Sequence, residues 1–130
     1  MSSKEKTLPV IPFHQAHRYK ELLANFTDSR IQIAPNASTN AFVVTIADLE
    51  MAPRFLPGTL LVIEPKLSLY DEGFVLLFSY AANKVILRKY LYEDGEIELE
   101  TMAEYDDAIP LDYRDKIIGV VTEARLEFRY

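Results

Sequence analysis

At 130 residues the chain has the size of one domain, and its 49% apolar residues suffice for a core without disulfides or a structural metal. The formal charge of −6 disfavours direct nucleic-acid binding, which rests on Lys and Arg neutralising phosphates. Cysteine is absent, which removes disulfide scaffolds, thiolate zinc sites and thiol nucleophiles together.

Residues 1 to about 10 are polar and then carry Pro9, the pattern of a flexible or extended arm. They hold no apolar core of signal-peptide type, and no run approaches the roughly 18 apolar residues of a membrane span. The expected address is the cytoplasm, with no membrane contact. Residues 12 to 24 predict one short helix, with Pro12 in the first turn and Ala16, Tyr19 and Leu23 on one side. His14, His17 and Glu21 lie on the same helix, and His17 with Glu21 could touch a metal. With two His in the chain and no third strong ligand nearby, solvated side chains are the better reading, and neither metal nor cofactor is expected. Residues 27 to 40 carry loop chemistry (Asp28, Ser29, Pro35, Asn36, Ser38, Asn40) around Ile31 and Ile33. The expected division is an arm with a short helix over 1–40 and a β domain over 41–130.

From Phe42 the period shortens to two. Phe42, Val44 and Ile46 alternate with Val43 and Thr45, and Leu60-Leu61-Val62-Ile63 is a continuous apolar run between Gly58 and Pro65. Phe74-Val75-Leu76-Leu77-Phe78 and Val85-Ile86-Leu87 flank a polar break, as in a hairpin. Glu96-Ile97-Glu98-Leu99-Glu100 alternates strictly after the turn signal Asp94-Gly95. Residues 117 to 130 put Thr122, Ala124, Leu126, Phe128 and Tyr130 on one face, predicting a long half-exposed strand or two strands with a bend. The fold class is mainly β. The acidic belt Glu93, Asp94, Glu96, Glu98, Glu100, Glu104, Asp106 and Asp107 reads as a solvated strand face and loop.

The run Asp48-Leu49-Glu50-Met51-Ala52-Pro53-Arg54-Phe55-Leu56-Pro57-Gly58-Thr59, followed by Leu60-Leu61-Val62-Ile63-Glu64-Pro65, resembles a block of the self-cleaving repressors of the LexA and UmuD family. There an apolar strand is followed by Gly-Asp-Ser-Met-x-Pro-x-Phe-x-x-Gly-Asp and a second apolar strand ending in Asp-Pro. Met51, Pro53, Phe55, Gly58 and Pro65 hold this spacing without a gap. Asp71-x-Gly73-Phe74-Val75 resembles the next turn and strand, Ile117-Ile118-Gly119-Val120-Val121 the closing strand, and residues 8–16 the lead-in of some phage-type repressors. The resemblance covers residues 8 to 130 and implies a β-clip domain of small antiparallel sheets with one short N-terminal helix.

The family's catalytic positions are the ones that differ. Its nucleophile is the Ser of Gly-Asp-Ser-Met, and its base is a Lys on a following strand. Here the Ser position holds Glu50, which has no hydroxyl to form an ester. The Lys position falls on Arg88, a residue that cannot act as a base near neutral pH, or on Lys89 if the register slips by one. Neighbours on a strand point to opposite faces, so only one of the two can look at Glu50. The family's Gly and Asp are replaced by Asp48 and Leu49, which disturbs the backbone that would polarise a scissile carbonyl. A Glu50–Arg88 ion pair is expected in place of the dyad. The Ala-Gly or Cys-Gly bond at which relatives cleave themselves occurs nowhere in the chain.

The resemblance therefore implies a pseudo-peptidase that regulates by association, in transcription or the response to DNA damage. A repressor needs a DNA-reading module, and residues 1 to 40 are too short and too proline-rich for one. Relatives pair through their C-terminal regions, so a homodimer through Ile117, Val121, Leu126, Phe128 and Tyr130 is expected, as is pairing with a full-length repressor relative or a DNA polymerase subunit. The rival is an active serine-type self-cleaving peptidase with a non-standard dyad, or one using Ser79, Ser68 or Thr45.

Overall fold

From Lys6 onward the segment ahead of the helix is built into the sheets and is not an arm. In the computed structural model, which describes residues 6–24, 30–33, 37–101 and 108–126, Lys6–Pro9 forms strand β1. Leu8 is buried, and Val10 bridges to Val43 in parallel, with the Ile11 amide donating to the Val43 carbonyl at 2.8 Å. Pro12 precedes a 3-10 turn, Phe13–Arg18, and its carbonyl accepts from the Gln15 amide at 2.9 Å. A short α-helix, α1 (Tyr19–Ala24), completes the predicted helical segment. Its expected inward side holds: Ala16 is fully buried, Tyr19 stacks on Phe42 with ring centroids 5.2 Å apart, and Leu23 packs on the same core.

The expected loop over 27 to 40 contains a strand, β2 (Arg30–Ile33), which pairs antiparallel with β1 and sets Leu8 opposite Ile31. Neither strand is legible by alternation, because each has four residues and its partner lies far along the chain.

The remaining strands are β3 (Phe42–Thr45), β4 (Leu60–Glu64), β5 (Phe74–Ser79), β6 (Lys84–Glu93), β7 (Glu96–Glu100), β8 (Ile109–Pro110) and β9 (Lys116–Arg125). They form one antiparallel sheet in the order β3-β4-β9-β5-β6-β7-β8. Asp94 and Gly95, at φ of 51° and 80°, make the two-residue turn between β6 and β7 that the sequence signals, matching the twist of the strands it joins.

The last strand ties the sheet together. The first part of β9 pairs with β5, from Phe78 opposite Lys116 to Val75 opposite Val120, and its second part pairs with β4, from Glu64 opposite Val120 to Leu60 opposite Arg125. Of the two readings of this segment, one long shared strand is the outcome over its described residues. A register shift sits in each pairing, at Val62/Ile63 and at Leu76/Leu77. Gly119 lies where β9 closes on β4: a Cβ there would stand 2.6 Å from the Ile63 side chain and 3.0 Å from the Glu64 carbonyl.

The main core holds Ile11 and Ala16 of the N-terminal segment, Phe42 and Val44 of β3, Met51 and Phe55 of the motif loop, and residues of β4, β5, β6 and β9. The N-terminal segment and the β strands thus share one core, and the expected division at residue 40 does not separate two packing units. No helix among the described residues is long and apolar enough to cross a membrane.

Candidate functional site

Between β3 and β4 the chain makes a series of turns that carry the motif. Met51 and Phe55 anchor these turns by burial, and the Phe55 amide donates to the Met51 carbonyl at 2.9 Å. Phe55 also meets Phe74 edge to face, with centroids 4.8 Å apart. The loop closes where Gly58, at a φ of 92° that disfavours any side chain, donates to the Ile46 carbonyl at 2.7 Å, and Ile46 donates to Thr59 at 2.9 Å. Ala52–Pro53 is a cis peptide. Pro53 is exposed and Pro65 half-buried, so these two motif prolines shape turns and fill no core. Gly73 is buried in the turn before β5, and its carbonyl accepts from the Tyr90 amide at 2.7 Å.

Glu50 stands at the start of this loop with its side chain turned toward β6. One carboxylate oxygen lies 3.2 Å from Arg88 Nη1 and the other 3.2 Å from Lys84 Nζ. The Arg88 guanidinium is the more enclosed partner, with its side chain 14% exposed, and the same Nη1 donates to the Leu87 carbonyl at 2.7 Å. Lys89 turns away and reaches Glu72 at 3.9 Å, so Arg88 is the β6 residue that looks at Glu50 and Lys89 is not.

The pair differs from expectation in one respect. Arg88 touches the carboxylate through a single nitrogen and does not grip it with both arms, because the second oxygen belongs to Lys84. Sequence reasoning missed Lys84, although a residue four positions before Arg88 on a strand shares its face. Partial burial pushes the Glu50 carboxyl up, but hydrogen bonds from Lys84 and Arg88 and the two positive charges outweigh this and hold it below its ordinary value.

The backbone of Glu50 is engaged as well. Its amide donates to Asp48 Oδ1 at 3.0 Å, an Asx-type turn. An amide already given to a carboxylate is poorly placed to stabilise an oxyanion, and the carboxylate would repel one. Beside it, Phe13, Ile46, Ala47, Asp48, Glu50, Met51 and Leu87 enclose a recess of about 10 Å³. That is room for about one water molecule.

Of the other hydroxyls considered, Ser79 has a structural role. Ser79 is buried and its Oγ accepts from the Ala82 amide at 3.1 Å, closing the β5–β6 turn. Ser68 is exposed and Thr45 half-buried in β3. His17 packs its ring on Phe78 at 4.8 Å, and Glu21 takes Arg18 at 3.0 Å. Among the expected interface residues, Val121 is buried in the main core, Ile117 is half-buried and Leu126 is partly exposed. Phe128 and Tyr130 lie outside the described residues.

No family model matches the chain. It is 25% identical over 128 residues to an uncharacterized HTH-type transcriptional regulator of Coxiella burnetii (strain RSA 493 / Nine Mile phase I), a match that takes in 93% of this chain. The chain spans 59% of the length of that regulator.

Proposed function

We propose that the chain is a non-catalytic regulatory domain of the LexA and UmuD type, a β-clip that acts through association and does not cut peptide bonds. The observation that carries this reading is the occupancy of the loop that would present the nucleophile. Glu50 stands there, its carboxylate bridged by Arg88 and Lys84 and its amide held by Asp48. At this loop, among the described residues, the nucleophile's seat holds no hydroxyl, and the Glu50 amide and the Lys84 and Arg88 side chains that face it are engaged. The similarity to an HTH-type transcriptional regulator supports a role in transcription regulation.

Association is proposed to run along the second part of β9. Residues 121–124 have β4 on one side, and no described strand pairs with their other side. Thr122 and Ala124 are exposed there and continue to Leu126. An open edge of this kind is a template for pairing with the same edge of a second copy about a two-fold axis, or with a full-length repressor relative or a polymerase subunit. Cytoplasmic placement belongs to the same proposal. Sedimentation velocity at micromolar protein tests it: a dimer is expected, weakened by Ala124→Pro, which obstructs edge pairing. A monomer throughout that concentration range overturns association through this strand.

A further inference from the structure

The turn before β9, the end of β5 and the helical segment enclose a groove of about 640 Å³ on a different part of the surface from Glu50. Its floor is apolar, made by Phe78, Ile117 and Ile118. Its rim reverses the charge balance of the chain. Acidic residues outnumber Lys and Arg by 20 to 14 overall, yet the groove is lined by Arg18, Lys20, Arg114 and Lys116 against Glu21 alone.

The two arginines are already satisfied. Arg18 reaches both oxygens of Glu21, at 3.0 and 3.2 Å, and Arg114 reaches both of Asp112, at 2.9 and 3.0 Å. Asp115 behind them accepts from the amides of Tyr80 and Asp112. Lys20 and Lys116 are exposed and make no ion pair with a carboxylate among the described residues. They are two strongly hydrated point charges on flexible stems above an apolar trough.

We propose that this groove binds a short acidic peptide segment of a partner protein, an apolar side chain entering the floor and carboxylates meeting Lys20 and Lys116. Charge complementarity argues for the acid, and the floor argues for the apolar anchor. The same cations would attract single-stranded nucleic acid, but two of the aromatic rings that bases would stack on already carry a partner. His17 lies against Phe78 at 4.8 Å, and the Arg114 guanidinium lies over Tyr80 at 3.9 Å. A polyanion extending beyond the groove would also meet the field of a chain with net charge −6, whereas a short peptide confines its charge to the groove. The proposal does not depend on the loss of catalysis at Glu50.

The test is fluorescence anisotropy of the whole protein with the labelled peptide EDDYLDE, its neutral counterpart QNNYLNQ and oligo-dT. Saturable binding of the acidic peptide is expected, weakened about tenfold or more in the neutral peptide and in the double variant Lys20→Ala/Lys116→Ala, and weakened by added salt. The charge-keeping variant Lys20→Arg/Lys116→Arg is expected to retain binding, which separates loss of charge from loss of fold. No binding of the acidic peptide up to millimolar concentration, equal binding of the neutral peptide, an unaffected double alanine variant, or tighter binding of oligo-dT each overturns it.

Discussion

Glu50 is held by two cations of β6 and gives its own amide to Asp48, so its ionised form is favoured in the folded chain. Its carboxyl lies below the ordinary 4.5, so the stability it contributes is fully present above that pH and is lost as pH falls through the lower folded value. The side chain is 37% exposed, so solvent screening keeps the contribution within about 1 kcal/mol. Glu50→Gln is expected to lower stability by no more than that near neutral pH and to flatten the decline in acid, read from urea midpoints across pH. Gly119 presents a steric problem of a different kind. Gly119→Ala has to push Ile63 or the Glu64 backbone aside, and a loss of about 1–3 kcal/mol in the same urea assay is expected. At this scale the sequence was informative where strand parity decides: it allowed one of Arg88 and Lys89 to face Glu50, and Arg88 does. Lys84 escaped because motif spacing directs attention to two positions, while the third group arrives from the far end of the strand. The single-nitrogen contact of Arg88 could not be read either, since it depends on how the guanidinium divides its donors between Glu50 and the Leu87 carbonyl.

Among the elements, those with a clear period were legible. The double-sided burial of β4 follows from its unbroken apolar run, and the hairpins β5–β6 and β6–β7 follow from polar breaks and Asp94-Gly95. What failed was the N-terminal segment. Strands β1 and β2 have four residues each, and their stability comes from partners distant in sequence, so local composition pointed to an arm and a loop. Burial shows the cost of that error: Ile11 is 1% exposed and sits in the main core with Phe42 and Leu61. Ile11→Ala is expected to lose about 2–5 kcal/mol in urea unfolding, whereas an arm residue would cost almost nothing. The long last strand was legible as an alternating run but not as a shared one, because two register shifts divide it between β4 and β5.

At the scale of the molecule, three surfaces have no residue in common: the occupied loop at Glu50, the open side of residues 121–124 and the cationic groove beside Phe78. Composition gave no hint of the groove, since its four cations come from the helical segment and from the turn and strand start around residues 114 to 116, nearly one hundred positions later, and the net charge of −6 conceals them. The resemblance to self-cleaving repressors concerns the first surface, where Glu50 stands in place of a nucleophile. Intact-mass spectrometry of the purified protein after prolonged incubation at alkaline pH, where a Lys amine would be neutral and able to act as base, addresses it directly. A single species with the mass of the full chain is predicted. A shortened chain that accumulates with time and is abolished by Glu50→Ala would contradict it.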